Sequence, residues 1–173
     1  KWTSSSTTYV TPSNGDAWAA EAASAGPRGT QRLTEVATVP APSPVAAALG
    51  IAERSDVVVR RRIVLADDQP VELADSYYPP AIASGTALAE PKKIPGGAVT
   101  ILSDLGYLAA DVDEEVGARL ATDEERDALR LPEGQPVLVL ARRSATADGT
   151  PFEYAVMTMA AWSRRLRYQM KTA

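Results

Sequence analysis

The side chains best suited to chemistry are three consecutive arginines, Arg60-Arg61-Arg62, set inside a β-prone run from 56 to 65. Successive side chains of a strand point to opposite faces. Arg60 and Arg62 therefore share one face, and Arg61 takes the other with Val59 and Ile63. A guanidinium grips a carboxylate or phosphate with two parallel N–H donors, so a face bearing Arg60 and Arg62 could line an anion pocket. A solvated edge strand protected by charge accounts for the run slightly better when the run is taken alone. The next strand offers Asp75 and Tyr77 on one face and Glu72, Ala74 and Ser76 on the other. Arg opposite Asp would by itself be a cross-strand ion pair of small worth.

A second anion-directed feature is Lys92-Lys93-Ile94-Pro95-Gly96-Gly97 ahead of an apolar helix. Glycines at a helix start let backbone N–H groups converge on a negative group. No Gly-Lys-Ser/Thr follows, so this is not a nucleotide P-loop. The adjacent carboxylates Asp67/Asp68 and Glu114/Glu115 would point to opposite faces of a strand or sit in a turn, and neither pair forms a catalytic dyad. Glu124/Glu125 suits the positive end of a helix dipole. The basic tail Arg164 to Lys171 reads as a terminal strand with a solvated face.

Composition narrows the chemistry further. The chain of 173 residues has no His and no Cys. That removes Ser-His-Asp and Cys-His catalysis, Cys-ligated metal sites and disulfide scaffolds. The 18 Lys and Arg against 22 Asp and Glu give a net charge of -4, a poor balance for holding nucleic acid through phosphates. No apolar run approaches the ~20 residues that span a bilayer, and no apolar signal segment follows Lys1, so a cytoplasmic location without membrane contact is expected. The start at Lys1 rather than Met predicts a piece of a longer or processed chain. No cofactor is expected.

Positioning these side chains takes an antiparallel sheet. Residues 1–15, rich in Ser, Thr and Asn, read as a linker, with a short strand at 7–10. Asp16 should cap a helix through Trp18 and Ala22 that ends at Gly26-Pro27. Residues 31–39 alternate as a strand, with Leu33, Glu35, Ala37 and Val39 on one face. Pro42-Ser43-Pro44 opens a short helix that stops at Gly50. Two hairpins share one grammar, an Arg-rich strand, an Ala-Asp-x-x-Pro turn and a return strand: 56–65 with 71–78 around a turn at 66–70, and 136–146 with 152–162. Between them lie a helix at 98–105, a strand at 110–121 and a helix opened by a capping box, Thr122 with Glu125. Strands joined by hairpins, with short helices between, predict a single α+β domain over 16–173 built on an antiparallel sheet.

The ordered series of segments carries a resemblance. The run 57–79, "VVVRRRIVLADDQPVELADSYYP", is similar to the central hairpin of the UTRA domain, the effector-binding half of HutC-type regulators in the GntR family. "ATDEE…LPEGQPVLVLAR" (121–142), "DGTPFEYA" (148–155), "LGY" (105–107) and "QRL…VPAP" (31–42) resemble the family's other segments. The resemblance implies a chorismate-lyase-like α+β fold, a homodimer formed through the sheet, and a pocket for a small-molecule effector, anionic or polar. It implies a repressor whose operator DNA is held by a winged helix-turn-helix domain ahead of Lys1. The family's pocket Arg-x-Arg pair falls on Arg62 and Val64, so half of that clamp is absent and Arg60 stands on the same face. The carboxylate of the return strand falls at Ala74-Asp75, the helix-opening Ser near Gly97 and the N-terminal Ser-Phe element near Ala17-Trp18. The late ligand-binding Glu is Glu153, followed by Tyr154. On this reading Arg62 holds an anionic or polar group, Glu153 accepts hydroxyl or amine hydrogens, the Gly96-Gly97 turn donates N–H groups, and Trp18 and Tyr77 close apolar walls. A chorismate-lyase-like enzyme and a dimerisation module without a ligand are the alternatives.

Overall fold

The computed structural model describes residues 2–13 and 15–172. In chain order the elements are β1 (Trp2–Ser4), α1 (Thr7–Val10), α2 (Ala17–Ala25), β2 (Gly29–Pro40), α3 (Ser43–Leu49), β3 (Asp56–Ala66) and β4 (Gln69–Tyr78). A short helical turn α4 (Pro80–Ala83) follows, then a 3-10 turn (Ala87–Ala89), α5 (Ala98–Asp104), β5 (Asp111–Leu120), α6 (Asp123–Leu129), β6 (Pro136–Ala145), β7 (Pro151–Ala160) and β8 (Tyr168–Met170).

Local chemistry sets the boundaries. Asp16 accepts hydrogen bonds from the N–H groups of Trp18 and Ala19 and so starts α2. Thr122 and Glu125 form the reciprocal capping box that starts α6. Gly50 ends α3 in the left-handed conformation that glycine adopts without a Cβ clash. The first hairpin turns more tightly than its sequence indicates. Asp67 and Asp68 both take positive φ, 47° and 64°, as a two-residue turn between right-twisted strands requires. Aspartate tolerates that region better than most residues, and Asp67 is further held by accepting the Arg28 N–H at 2.7 Å. The strands therefore run to Ala66 and from Gln69, absorbing most of the loop expected over 66–70.

Six strands form one antiparallel sheet in the order β2-β3-β4-β7-β6-β5. Each half of the sheet is a strand, a short helix and a hairpin, and the two halves meet where β4 pairs with β7. The likeness of the two hairpins thus extends to the strand and helix before each. α3 and α6 cover one face: Val45, Ala46 and Leu49 pack on Val57, Val59 and Tyr77, and Leu129 packs on Val137 and Ala160. The other face is only partly filled. It meets α2 through Trp18 and Ala22, and the α4–α5 region through Tyr78, Leu88, Ile94 and Leu102.

Three expectations are corrected. Residues 7–10 form a helical turn, not a strand, and β1 pairs with β8 as a separate two-stranded sheet. The strand β2 carries a bulge between Leu33 and Glu35, so Leu33 stands opposite Arg62 while Glu35 stands opposite Arg61. One extra residue reverses the alternation, and the single face expected for Leu33 through Val39 is split in two. Arg164, expected on a solvated face, is largely covered.

α2 lies so close to β2 that Gly29 has no room for a side chain. A Cβ there would lie 2.7 Å from the Ala22 Cβ and 2.9 Å from the Trp18 carbonyl oxygen. Gly29→Ala should push α2 off the sheet at a cost of roughly 1–3 kcal/mol. An unchanged midpoint in a urea titration would show that the packing yields freely.

Candidate functional site

The partly filled face encloses a cavity of about 570 Å³. Its floor follows from strand parity and pairing register. Arg62 on β3 stands beside Ala74 on β4, then Met157 on β7 and Leu140 on β6. One step along the strands, Arg60 stands beside Ser76, then Ala155 and Arg142. Ala74 and Ser76 are small, so the floor is low along β4, between the long arginine side chains of β3 and the Met157 side chain of β7. α2, the 93–98 turn, residues 107–109 and the two terminal segments form the walls.

The cavity is more basic than the chain around it. Arg60, Arg62, Lys93, Arg142, Arg164 and Arg165 line it. The acidic side chains are Asp16, Glu21, Glu72 and Glu153. This excess of cations arises in a protein of net charge -4. A concave, low-dielectric wall concentrates such a field and draws anions inward.

Each cation is used differently. Arg60, only 4% exposed, donates through Nη1 to the carbonyls of Ala87, Leu88 and Glu90 and through Nη2 to that of Lys92. It organises the 87–92 segment and is not free to complete a clamp with Arg62, which corrects that expectation. Arg164 lies 4.7 Å over the Trp18 ring and contacts Glu21 at 3.3 Å and Glu72 at 3.5 Å. Arg62 has only neutral partners, Ser76 Oγ at 2.8 Å and Gln31 Oε1 at 3.5 Å, and its Nε has none. Arg142 is 8% exposed, and its Nε is buried without a partner, as is the Oγ of Ser144 on the same strand.

Two of the acids accept tyrosine hydroxyls, while Glu72 Oε2 is buried without a hydrogen-bond partner. Glu153 Oε2 accepts the Tyr78 hydroxyl at 2.7 Å, and burial together with that carboxylate pushes the Tyr78 hydroxyl far up. Glu21 accepts the Tyr9 hydroxyl, tying α1 to α2 across the mouth. Burial raises the Glu72 carboxyl above its ordinary range, against the pull of Arg164, Arg62 and Arg142, while Glu21 adds a small repulsion in the same direction. The folded state therefore binds this proton more tightly than the unfolded chain. The stability it confers is present at low pH and is lost as pH rises through the folded value. Gln at position 72 keeps the shape without the charge. The melting temperature of Glu72→Gln should gain steadily on wild type as pH rises from about 4 to 8. A gap that stays flat, or narrows, would mean that attraction by Arg164 outweighs burial.

Of the residues singled out from sequence, Trp18, Arg60, Arg62, Gly96, Gly97 and Glu153 come together around the cavity. Asp75, Tyr77 and Tyr154 do not. Asp75 and Tyr77 alternate with Ala74, Ser76 and Tyr78, so they lie on the far face, where Asp75 meets Arg61 at 3.3 Å and Tyr77 packs under α3. Tyr154 follows Glu153 along β7 and points away for the same reason. The Gly97 N–H is spent on the Ile94 carbonyl at 2.9 Å, so it is not the free donor expected of this turn. The sequence reading missed Glu72, Tyr78, Arg142, Ser144 and Arg164 as cavity residues. Parity signals most of them: Glu72 and Tyr78 share the face of Ser76, and Ser144 shares the face of Arg142. Arg164 had no such signal, because it lies in an irregular segment.

Among the described residues no cluster of acidic side chains is placed to hold a metal ion, and no helix is long and apolar enough to cross a membrane. An antiparallel sheet with helices closing one face and a charged cavity opened on the other defines a pocket-bearing domain of the α+β class. Comparison with known proteins makes this specific. Residues 24–162 match the family model of the UTRA domain. The chain is 37% identical over 143 residues to the HTH-type transcriptional regulator SCO4628 of Streptomyces coelicolor, covering 79% of this chain and 53% of that protein. It is 38% identical over 125 residues to the HTH-type transcriptional regulator Rv0792c of Mycobacterium tuberculosis, covering 69% and 44%. The chain belongs to the UTRA family, as a domain of GntR-family transcriptional regulators. It spans about half the length of the curated relatives it matches.

Solved structures agree on the fold. A chain described as a GntR-family transcriptional regulator superposes with a TM-score of 0.77 at 25% identity, covering 87% of this chain and 62% of that one. The effector domain of PhnF from Mycobacterium smegmatis gives 0.72 at 17% identity over 87% and 91%. The C-terminal domain of the histidine utilization repressor from Pseudomonas syringae gives 0.71 at 20% identity over 84% and 100%. The architecture is the chorismate-lyase-like α+β fold of GntR effector domains.

Proposed function

We propose that this chain is the effector-sensing domain of a HutC-type GntR repressor that works in the cytoplasm as a homodimer. A winged helix-turn-helix domain ahead of residue 1 grips operator DNA, and a small molecule in the cavity changes that grip. The observation that carries the reading is the cavity itself: about 570 Å³, roomy enough for a metabolite, with the guanidinium of Arg62 held only by neutral groups. Arg62 holds an anionic or polar group of the effector, Glu153 accepts its hydroxyl or amine hydrogens, and Trp18 supplies an apolar wall. The switch works by population shift. The effector binds the arrangement that releases DNA more tightly than the one that grips it. Val112, Val116 and Leu120 expose apolar side chains along the edge strand β5, which supports association of two copies on that side.

A thermal-shift screen of metabolites tests the sensing role. A true effector stabilises the folded state by mass action and raises the melting temperature with concentration. A melting temperature that no metabolite moves would leave a dimerisation module without a ligand. Pyruvate released from chorismate would move the chain into the enzyme class.

A further inference from the structure

We propose that Arg142 and Ser144 on β6 form a second anion subsite, so that the effector carries two negative groups, one for β6 and one for Arg62. The inference rests on the sensing reading above and deepens it.

The argument is one of uncompensated charge. Of the buried arginines of the cavity, Arg60 is solvated by four carbonyls and Arg164 is matched by Glu72 and Glu21. Arg142 has neither kind of partner. Its side chain lies more than nine-tenths buried on the cavity floor, with Nε unsatisfied and no hydrogen bond or ion pair among the described residues. Two residues along, on the same face, the Ser144 hydroxyl is 1% exposed and also unsatisfied. Glu114 faces Arg142 across β5; its Oε2 accepts the Ser4 and Tyr168 hydroxyls, and its Oε1 is buried without a hydrogen-bond partner and makes no ion pair with Arg142. Glu153 faces Ser144 across β7 and is engaged by Tyr78. An unpaired buried guanidinium is costly, and a neighbouring unsatisfied hydroxyl adds to the cost. A bound oxyanion satisfies both at once.

The second group follows from the distance between the cations. Arg62 and Arg142 are three strands apart, ~14 Å between backbones, and both line the one cavity, with Ala74, Ser76 and Met157 on the floor between them. One anion at Arg62 leaves Arg142 uncompensated. A dicarboxylate, or a phosphorylated carboxylic acid, neutralises both.

The test is calorimetry and thermal shift on the wild-type chain with paired probes. Adipate, citrate and 3-phosphoglycerate carry two or more anionic groups; hexanoate and glycerol 3-phosphate lack the second, and glucose is uncharged. The expected result is tighter binding of at least one multiply charged probe than of its partner lacking the second group. Arg142→Gln should then weaken that probe on the order of 10–100-fold. The same change should leave the singly charged partner unaffected. Arg142→Lys restores part of the affinity, and Ser144→Ala serves if the Gln variant does not fold. Equal binding of the paired probes, or an affinity unmoved by Arg142→Gln, overturns the second subsite and leaves the sensor standing. No binding of these probes, while an uncharged or cationic metabolite binds, also overturns it. If no compound of any charge binds, the sensing reading falls with it.

Discussion

Arg60→Ala should destabilise the domain by roughly 3 kcal/mol, a large share of the 5–15 kcal/mol typical of a folded domain. Four backbone carbonyls, those of Ala87, Leu88, Glu90 and Lys92, lose a charged donor at 2.7–3.1 Å. The segment they belong to carries Leu88, which is fully buried against Tyr78 and Ile82, so it cannot swing out to water without opening that core. For a chain of this length the melting temperature should fall by about 6–12 °C. Arg60→Lys should recover little, because a single ammonium has three donors and lacks the planar fork that spans the loop. A melting curve unchanged in the Ala variant would show that water replaces the guanidinium without loss.

The second large effect is on binding. Arg62→Ala should leave the fold intact and weaken an anionic effector about 10–100-fold, the worth of one or two charge-assisted hydrogen bonds in a dry pocket. The fold should hold because the partners of Arg62 are the side chains of Ser76 and Gln31, not backbone carbonyls. The two neighbouring arginines thus separate by readout: Arg60 moves the melting temperature of the free protein, and Arg62 moves the dissociation constant. Calorimetry on Arg62→Ala with wild-type affinity would remove β3 from the effector site.

Much of the fold was legible because it rests on local chemistry. The Asp16 and Thr122 caps, the Gly50 stop and the two hairpins each follow from residues next to one another in the chain. The candidate site was legible only as far as parity was respected. Asp75 and Tyr154 entered the expected site by their likeness to family positions, yet each is one residue out of phase with the cavity face. Parity in turn stops at a bulge. Nothing in Arg32-Leu33-Thr34-Glu35 marks Thr34 as the extra residue, because the bulge is set by pairing with β3, a long-range constraint. The same holds for the role of Arg60. That its charge is taken up by carbonyls some 30 residues later depends on where the 87–92 segment docks, which no local pattern encodes.

The pairing of β1 with β8 has a mechanical consequence. Trp2 to Ser4 are stitched to Met170 to Tyr168, and Ser5 N–H bonds to the Arg167 carbonyl at 3.0 Å. The same tail begins at Arg164, whose guanidinium caps Trp18 at the rim of the hollow. The first and last strands are therefore fastened to each other and, through Arg164, to the wall of the hollow, so any movement of Arg164 is shared by both terminal segments.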